Sequence, residues 1–472
     1  MINKDLKYED IQRLAISSRI VVFCLQIFAS ELVPPHVNDG FKFVDDEAKG
    51  ILDRIINHLF GGMTNWDGQY FLHITKYGYT EINTMAFFPL LPSIVWGGSV
   101  ILNCVLPVIS FSTTVILASF FVNTFIFVKS AQLLYRLTPY LDRGLNSLST
   151  LTVILFCFNP ASIFFSAFYT ETLFVYLTLQ VLLSLYQKKK VQAVFYASLS
   201  SVCRSNGVLN FGFCLAFSLR GALRRVDKDN SAFHNCLQSV KFLIIDGGLV
   251  AVGLLPFAAF QFFCYVRFCN EEYVFPAKVP EFCNGFGPQL PYQYIQSNNW
   301  NVGFLRYFEI KQLPNFVLAA PVLYTLGQQN FPRLLRYIRH LIYDRSINCI
   351  PAIALCGHGA FLTLFCLTCV HVQVSTRLIF SACPYLYIFI AKVIRTEIYQ
   401  FRKESKQSVP YSLWIYGWFF AYFLIGSIAF PTGYPWTYTY DIEKIIESKL
   451  DEESGTSVSV DSFYSAKNDP DF

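Results

Sequence analysis

Charge is what this chain has least of. Only 15% of its 472 residues are Asp, Glu, Lys or Arg, against about 25% in a soluble globular chain. Such a sequence cannot present a water-facing surface over most of its area. Methionine is scarce, with three in the whole chain, which excludes a Met-rich adaptable groove. No basic stripe with interleaved aromatics occurs, so nucleic acid is not an expected partner. HExxH, GxSxG and a phosphate-cradling glycine loop are all missing, so no metal and no cofactor are implied by any ligand spacing. No N-x-S/T acceptor for glycosylation exists either.

What is present is apolar and aromatic. Hydrophobic residues make up 54% and aromatics 17%, including 48 Phe and 28 Tyr. That composition suits lipid-facing helices with an interfacial aromatic belt. The expected fold class is an all-α polytopic membrane protein. Most of the fourteen cysteines lie inside apolar runs, among them Cys24, Cys104, Cys157 and Cys356, and read as small buried hydrophobes. The CLTC of Cys366 and Cys369 is also inside such a run, where zinc is not expected. Cys269 and Cys283 are different, because they lie in a polar loop. They either pair, if that loop faces an oxidising compartment, or remain two free thiols.

About 20 consecutive apolar residues cross a bilayer core. Such runs fall at 14–33, 86–109, 113–135, 147–186 (read as two passes), 192–219, 242–266, 315–331, 349–370, 377–394 and 411–430. They predict roughly nine to eleven spans. Lys and Arg concentrate in loops 220–241, 332–348 and 395–410, which assigns these to the cytosol. Loops 34–85 and 267–314, the link 371–376 and the chain after 431 then face the lumen. Loop 34–85 is acidic, with Asp39, Asp45, Asp46, Glu47, Asp53, Asp67 and Glu81. Counting passes puts Lys188–Lys190 on the wrong side, a conflict that short or broken helices between 113 and 219 would remove. Residues 1–430 form one multi-span catalytic domain, and 431–472 an acidic lumenal tail whose end is expected to be disordered. No internal repeat is visible.

The densest chemistry is in NWDGQYFLHITKYGYTEINTMAFFPLLP, residues 65–92. Asp67 beside Trp66 is the pair a sugar site needs: a carboxylate to take a hydroxyl proton, and a ring to stack on the sugar. The competing reading is an interfacial aromatic belt with one solvated acid. Residues 69–77 predict a short amphipathic helix. Arg204 and Asn206, in CRSNG, fall within the run 192–219. An arginine there needs an anionic partner, either a phosphate or an acid of an intramembrane ion pair. Glu171 follows Asn159–Pro160, which breaks a helix, and either lines a cavity wall or ends an ordinary loop. HVQVSTR, 371–377, offers His371, Gln373 and Arg377 to an anion, with a structural role for the arginine as the alternative. Trp300 and Tyr307, in WNVGFLRYF, suit an interface. Asp227-Lys-Asp229 is a bare DxD in a basic loop and is discounted.

Five stretches in this order, namely WDGQYFLHITKYGY with AFFPLLP, FNPASIFFSAFYTETLF, CRSNGVLNFGF, WNVGFLRYFEIKQLPNF and HVQVSTR, resemble the PIG-V family of GPI mannosyltransferases. The resemblance extends from the first span to about residue 430. It implies a GT-C-like helix bundle in the endoplasmic reticulum membrane, with an essential acid in the first lumenal loop. Asp67 is the matching acid and Trp66 its matching neighbour. The implied donor is dolichyl-phosphate-mannose. The implied acceptor is the mannosyl-glucosaminyl-phosphatidylinositol precursor, which gains an α1,6-linked second mannose with inversion. A small membrane subunit is a further possible partner. The sequence departs from the family pattern at Ile82, where an acid is expected; Glu81 comes one residue earlier. The rival readings are another dolichyl-phosphate-sugar transferase, a non-catalytic subunit of a transferase complex, and a lipid transporter or scramblase built on repeats.

Overall fold

The computed structural model describes residues 7–34, 41–45, 47, 49–142, 146–226, 232–269, 281–283, 290–404 and 411–433. The acidic tail beyond 433, the DxD at 227–229 and most of the loop 267–290 lie outside the described residues. Among those described, sixteen α-helices and short 3₁₀ turns account for the regular structure, with no strand. In chain order the helices are α1 (Tyr8–Leu32), α2 (Ile51–Phe60), α3 (Asp67–Tyr77), α4 (Leu90–Val105), α5 (Phe111–Leu141), α6 (Asn146–Cys157), α7 (Glu171–Tyr186) and α8 (Lys190–Ser201). They continue with α9 (Asn210–Val226), α10 (Ala232–Cys269), α11 (Pro291–Trp300), α12 (Leu313–Tyr343), α13 (Ile350–Thr368), α14 (Ser375–Ala382), α15 (Tyr385–Glu404) and α16 (Tyr411–Ala429).

The chain is a polytopic membrane protein. Five helices are long and apolar enough to cross a bilayer alone: α1, α5, α13, α16 and the 239–269 part of α10. A sixth crossing is added if 372–382 and 385–400, bent by 88°, count as one. The sequence reading of more spans came from apolar runs that fold as shorter or broken pieces. The run 147–186 is split between α6 and α7, and 192–219 between α8 and α9. The apolar helix α7 is buried along nearly its whole length between α5 and α8, so it forms the centre of the bundle. Helix α10 faces outward, exposing Ile244, Val252, Leu255 and Phe262, as expected of a lipid-facing surface.

Each break has a local cause. After α6, Pro160 lacks an amide donor and cannot continue a helix. The Asn159 side chain fills the gap, donating to the Phe156 carbonyl at 2.7 Å and accepting from the Ala161 amide at 2.8 Å. Arg19 of α1, 1% exposed, clamps the same turn. Its guanidinium donates to the carbonyls of Cys157 and Ser162 and to the hydroxyls of Ser162 and Ser166, and it lies 3.9 Å over the Phe127 ring. After α8 the chain turns so tightly that a side chain at Gly207 would collide with the Ser200 carbonyl. Broken backbone inside a membrane is tolerated where it lines a cavity, and both breaks do so.

The polarity of the bundle follows from contacts at its two ends. Helix α4 leaves the first loop and the chain returns to it. The Ser110 amide donates to Asp53 at 2.8 Å, and the Ser112 hydroxyl and amide donate to Asp45 and Glu47. The start of α5 thus lies beside the first loop, and α4, at 16 residues, is shorter than the helices long enough to cross a bilayer alone. Lys190 is paired with Asp246 at 2.5 Å, and Asp246 lies about 34 Å along α10 from Cys269 at 1.5 Å per residue. Cys269 and Cys283 are bonded. This settles the choice left open by the sequence. A small second cluster of Met85, Phe88, Phe260, Cys264, Phe282 and Ile295 ties that disulfide region to the first loop and α11.

Candidate functional site

Three interruptions in the helices, at 158–170, 202–209 and 369–374, meet at one end of the bundle. They enclose a cavity of about 670 Å³ lined by Asp67, Glu171, Arg204, Asn206, His371, Gln373 and Arg377, with an aromatic side formed by Phe87, Tyr292 and Trp300. Seven of the eight side chains singled out from the sequence come together here, from four separate stretches of chain.

Asp67 is the first residue of α3, and the backbone just before it is strained. Trp66 sits at φ 58°, a left-handed conformation that non-glycine residues adopt at a cost and that often marks functional sites. The turn aims the Asp67 amide at the phenol of Tyr169, which accepts at 2.9 Å and donates to the Asn65 carbonyl at 3.3 Å. Asn65 in turn donates to the carbonyls of Phe430 and Pro431. The acid is therefore held by the end of α6–α7 and by the end of α16 together. Trp66 does not line the cavity. It packs against the main core, and the rings that do line the cavity are Phe87, Tyr292 and Trp300.

The charged side chains form a chain of alternating sign. Arg377 Nη1 donates to Asp67 Oδ2 at 2.5 Å, and its Nε lies 3.9 Å from Glu171 Oε1. Arg204 Nη1 lies 2.7 Å from the same Glu171 oxygen. That last contact is an ion pair by distance only. The angle is poor, and neither Glu171 oxygen nor Arg204 Nη1 makes a directed hydrogen bond. Two arginines and two acids leave the cluster neutral. Asp67 keeps 32% of its side chain exposed and Glu171 only 1%. The sequence placed Arg204 inside a span; it stands instead in the break between α8 and α9, in extended backbone. The ion-pair reading of it is the one seen.

The other side chains fall into two groups. Asn206 presents its Nδ2 without a protein partner, and Gln373 lines the opening and is exposed. His371 is committed to the fold, with Nε2 2.6 Å from the Trp300 carbonyl and its ring stacked on Tyr307 at 4.5 Å. Burial lowers its pKa, partly opposed by the Trp300 carbonyl. The sequence marks Tyr169 only as a neighbour of Glu171 after the Asn159–Pro160 break, and gives no sign of its contact with Asp67. Sequence reasoning missed the aromatic wall, where Phe41, Tyr70 and Phe87 stack in series at 4.4 Å and Trp300 meets Tyr70 and Phe87 edge-on. Burial, with Asp67 nearby, pushes the Tyr70 phenol up to about 12. Among the described residues no three His, Cys, Asp or Glu side chains converge as a metal site.

Comparisons with known proteins point to one family. The family described as Mannosyltransferase (PIG-V) matches residues 8–331 and 345–437. The chain is 32% identical over 467 residues to GPI mannosyltransferase 2 of Drosophila melanogaster, covering 91% of this chain and 100% of that one. It is 28% identical over 496 residues to GPI alpha-1,6-mannosyltransferase 2 of Homo sapiens, covering 92% of this chain and 99% of the relative.

Proposed function

The chain belongs to the PIG-V mannosyltransferase family, and from that premise we propose that it adds an α1,6-linked mannose to a GPI precursor, taking the sugar from dolichyl-phosphate-mannose. The observation that carries the reading is the Asp67–Arg377–Glu171–Arg204 chain at the wall of a cavity with an aromatic side. A lipid-linked sugar phosphate needs cations for its phosphate, a base for the attacking hydroxyl and flat apolar surface for its sugars.

Arg204 and Arg377 receive the donor phosphate. Their planar donors suit phosphate oxygens and stabilise the charge that builds up as the sugar–phosphate bond breaks. The phosphate draws Arg377 off Asp67, which frees the carboxylate to accept the proton of the acceptor hydroxyl. Attack from the face opposite the leaving phosphate inverts the anomeric carbon in one displacement. Because the leaving group is already a phosphate, no general acid is required. Phe87 and Trp300, rather than Trp66, support the sugars.

The disulfide Cys269–Cys283 forms in oxidising compartments and lies at the cavity end of the bundle. That supports an active site on the lumenal face of the endoplasmic reticulum.

The direct test is Asp67→Asn, which keeps the shape and removes the base. Transfer from labelled dolichyl-phosphate-mannose to a one-mannose GPI precursor should fall by about 10²–10⁴-fold, with donor binding retained. Asp67→Asn protein at normal abundance that still restores surface GPI-anchored proteins in null cells would show that Asp67 is not the base.

A further inference from the structure

Glu171 has no step in the transfer just described, yet it is the most deeply buried charge of the site. It is 1% exposed, its Oε2 has no protein partner, and its Oε1 stands between both guanidiniums. The chemistry of the reaction, on which this inference rests, suggests what it does there. The donor is a phosphodiester with one negative charge. When the acceptor oxygen bonds to the anomeric carbon, the bond from that carbon to the phosphate oxygen breaks, and its electron pair stays on the phosphate. The acceptor proton passes to Asp67 and then to water. The product lipid is a monoester, which carries about −1.5 to −2 charges at neutral pH. Two guanidiniums with no opposing acid hold that product more tightly than the donor. A fixed carboxylate beside them repels a dianion about twice as strongly as a monoanion at equal distance.

We propose that Glu171 is a specificity-determining residue of the phosphate seat: its buried carboxylate keeps Arg204 and Arg377 from preferring the polyprenyl monoester over the diester, and so promotes product release. A counter-ion with only a structural role would change stability without changing the ratio of the two affinities.

The experiment measures binding, so it does not depend on transfer. Farnesyl phosphate and farnesyl methyl phosphate are titrated into purified full-length protein in detergent. The wild type should bind the two within about threefold of each other near neutral pH. Glu171→Gln should prefer the monoester by roughly tenfold or more. That preference should shrink near pH 5.5, where the monoester loses much of its second charge, its second pKa being about 6. Glu171→Asp keeps the charge and should stay close to the wild type, which guards against a Gln variant that fails to fold. In transfer assays Glu171→Gln should complete its first turnover and then slow. A wild type that already favours the monoester by more than about tenfold, or one that binds neither ligand, overturns the proposal. So does a folded Gln variant with an unchanged ratio. Mannosyl transfer measured alongside keeps the two readings apart. A shifted ratio without transfer removes the mannosyltransferase reading and the product-release role but leaves Glu171 as the residue that sets the phosphate selectivity; transfer with an unshifted ratio removes this proposal alone.

Discussion

Asp67 shows how much support one carboxylate needs. Its amide, its carboxylate and the backbone before it are each fixed by a different part of the chain: Tyr169, Arg377 and the strained Trp66. Tyr169 is 2% exposed and spends its hydroxyl on Asp67 and Asn65. Tyr169→Phe keeps the ring and leaves the Asp67 amide without an acceptor. One lost hydrogen bond of this kind costs stability about 1 kcal/mol. A misplaced reacting group costs more, about 10²-fold in rate per ångström. The expected result is therefore a fall in kcat of roughly tenfold or more, with near-normal donor KM and melting temperature. A variant with wild-type kcat would show that Tyr169 does not place Asp67.

Among the elements, the breaks matter more than the helices. A continuous helix satisfies its own backbone and offers a membrane site only side chains along one stripe. The breaks at 158–170 and 202–209 and the bend after α13 bring Glu171, Arg204 and Arg377 to one cavity instead. The second break depends on Gly207, whose missing side chain lets the turn lie against Ser200. Asn210 holds the turn shut by donating to Ser200 and Thr178. Gly207→Ala forces the turn apart and moves Arg204 with it. Destabilisation of about 1–3 kcal/mol, the usual cost of overpacking, is expected, with donor affinity lost more steeply than thermal stability. Thermal melting and donor KM measured together check this, and a fully active, fully stable alanine variant would contradict it.

At the scale of the whole molecule, the first loop, α11, the 369–375 link and the end of α16 meet at one end. Trp300 touches His371, Asn65 touches Phe430, and Asn299 touches Asn83. The basic residues gather at the other end, where Arg224 meets Asn348 and Lys190 meets Asp246. The absence of natural N-x-S/T sites makes this testable without background. A sequon engineered after residue 433 should be glycosylated, and sequons near 188 and 346 should not. Glycosylation near 188 would favour the pass count made from the sequence, in which the run 86–109 crosses the membrane.

The sequence by itself determined the solvent and the helices. A chain with 15% charge and long apolar runs has to satisfy its backbone inside lipid, and helices do that locally. Proline, glycine and asparagine marked the breaks for the same local reason, and the ordered motifs marked the family. Seven of the eight candidate residues, legible as polar groups too costly to be placed idly in such a chain, line one cavity. Only the tertiary structure decided their partners, because Arg377 reaches Asp67 across 310 positions and no periodicity encodes such a pairing. It also set Trp66 against the core while Phe87 and Trp300 came to line the cavity, since the positive φ at Trp66 turns its ring away from the opening. It tied the start of α5 back to the first loop as well, because the acids that hold Ser110 and Ser112 lie on a loop before α4 rather than in its own hydropathy. Local physics sets where a helix begins and stops; which charge answers which is set by packing between segments distant in the chain.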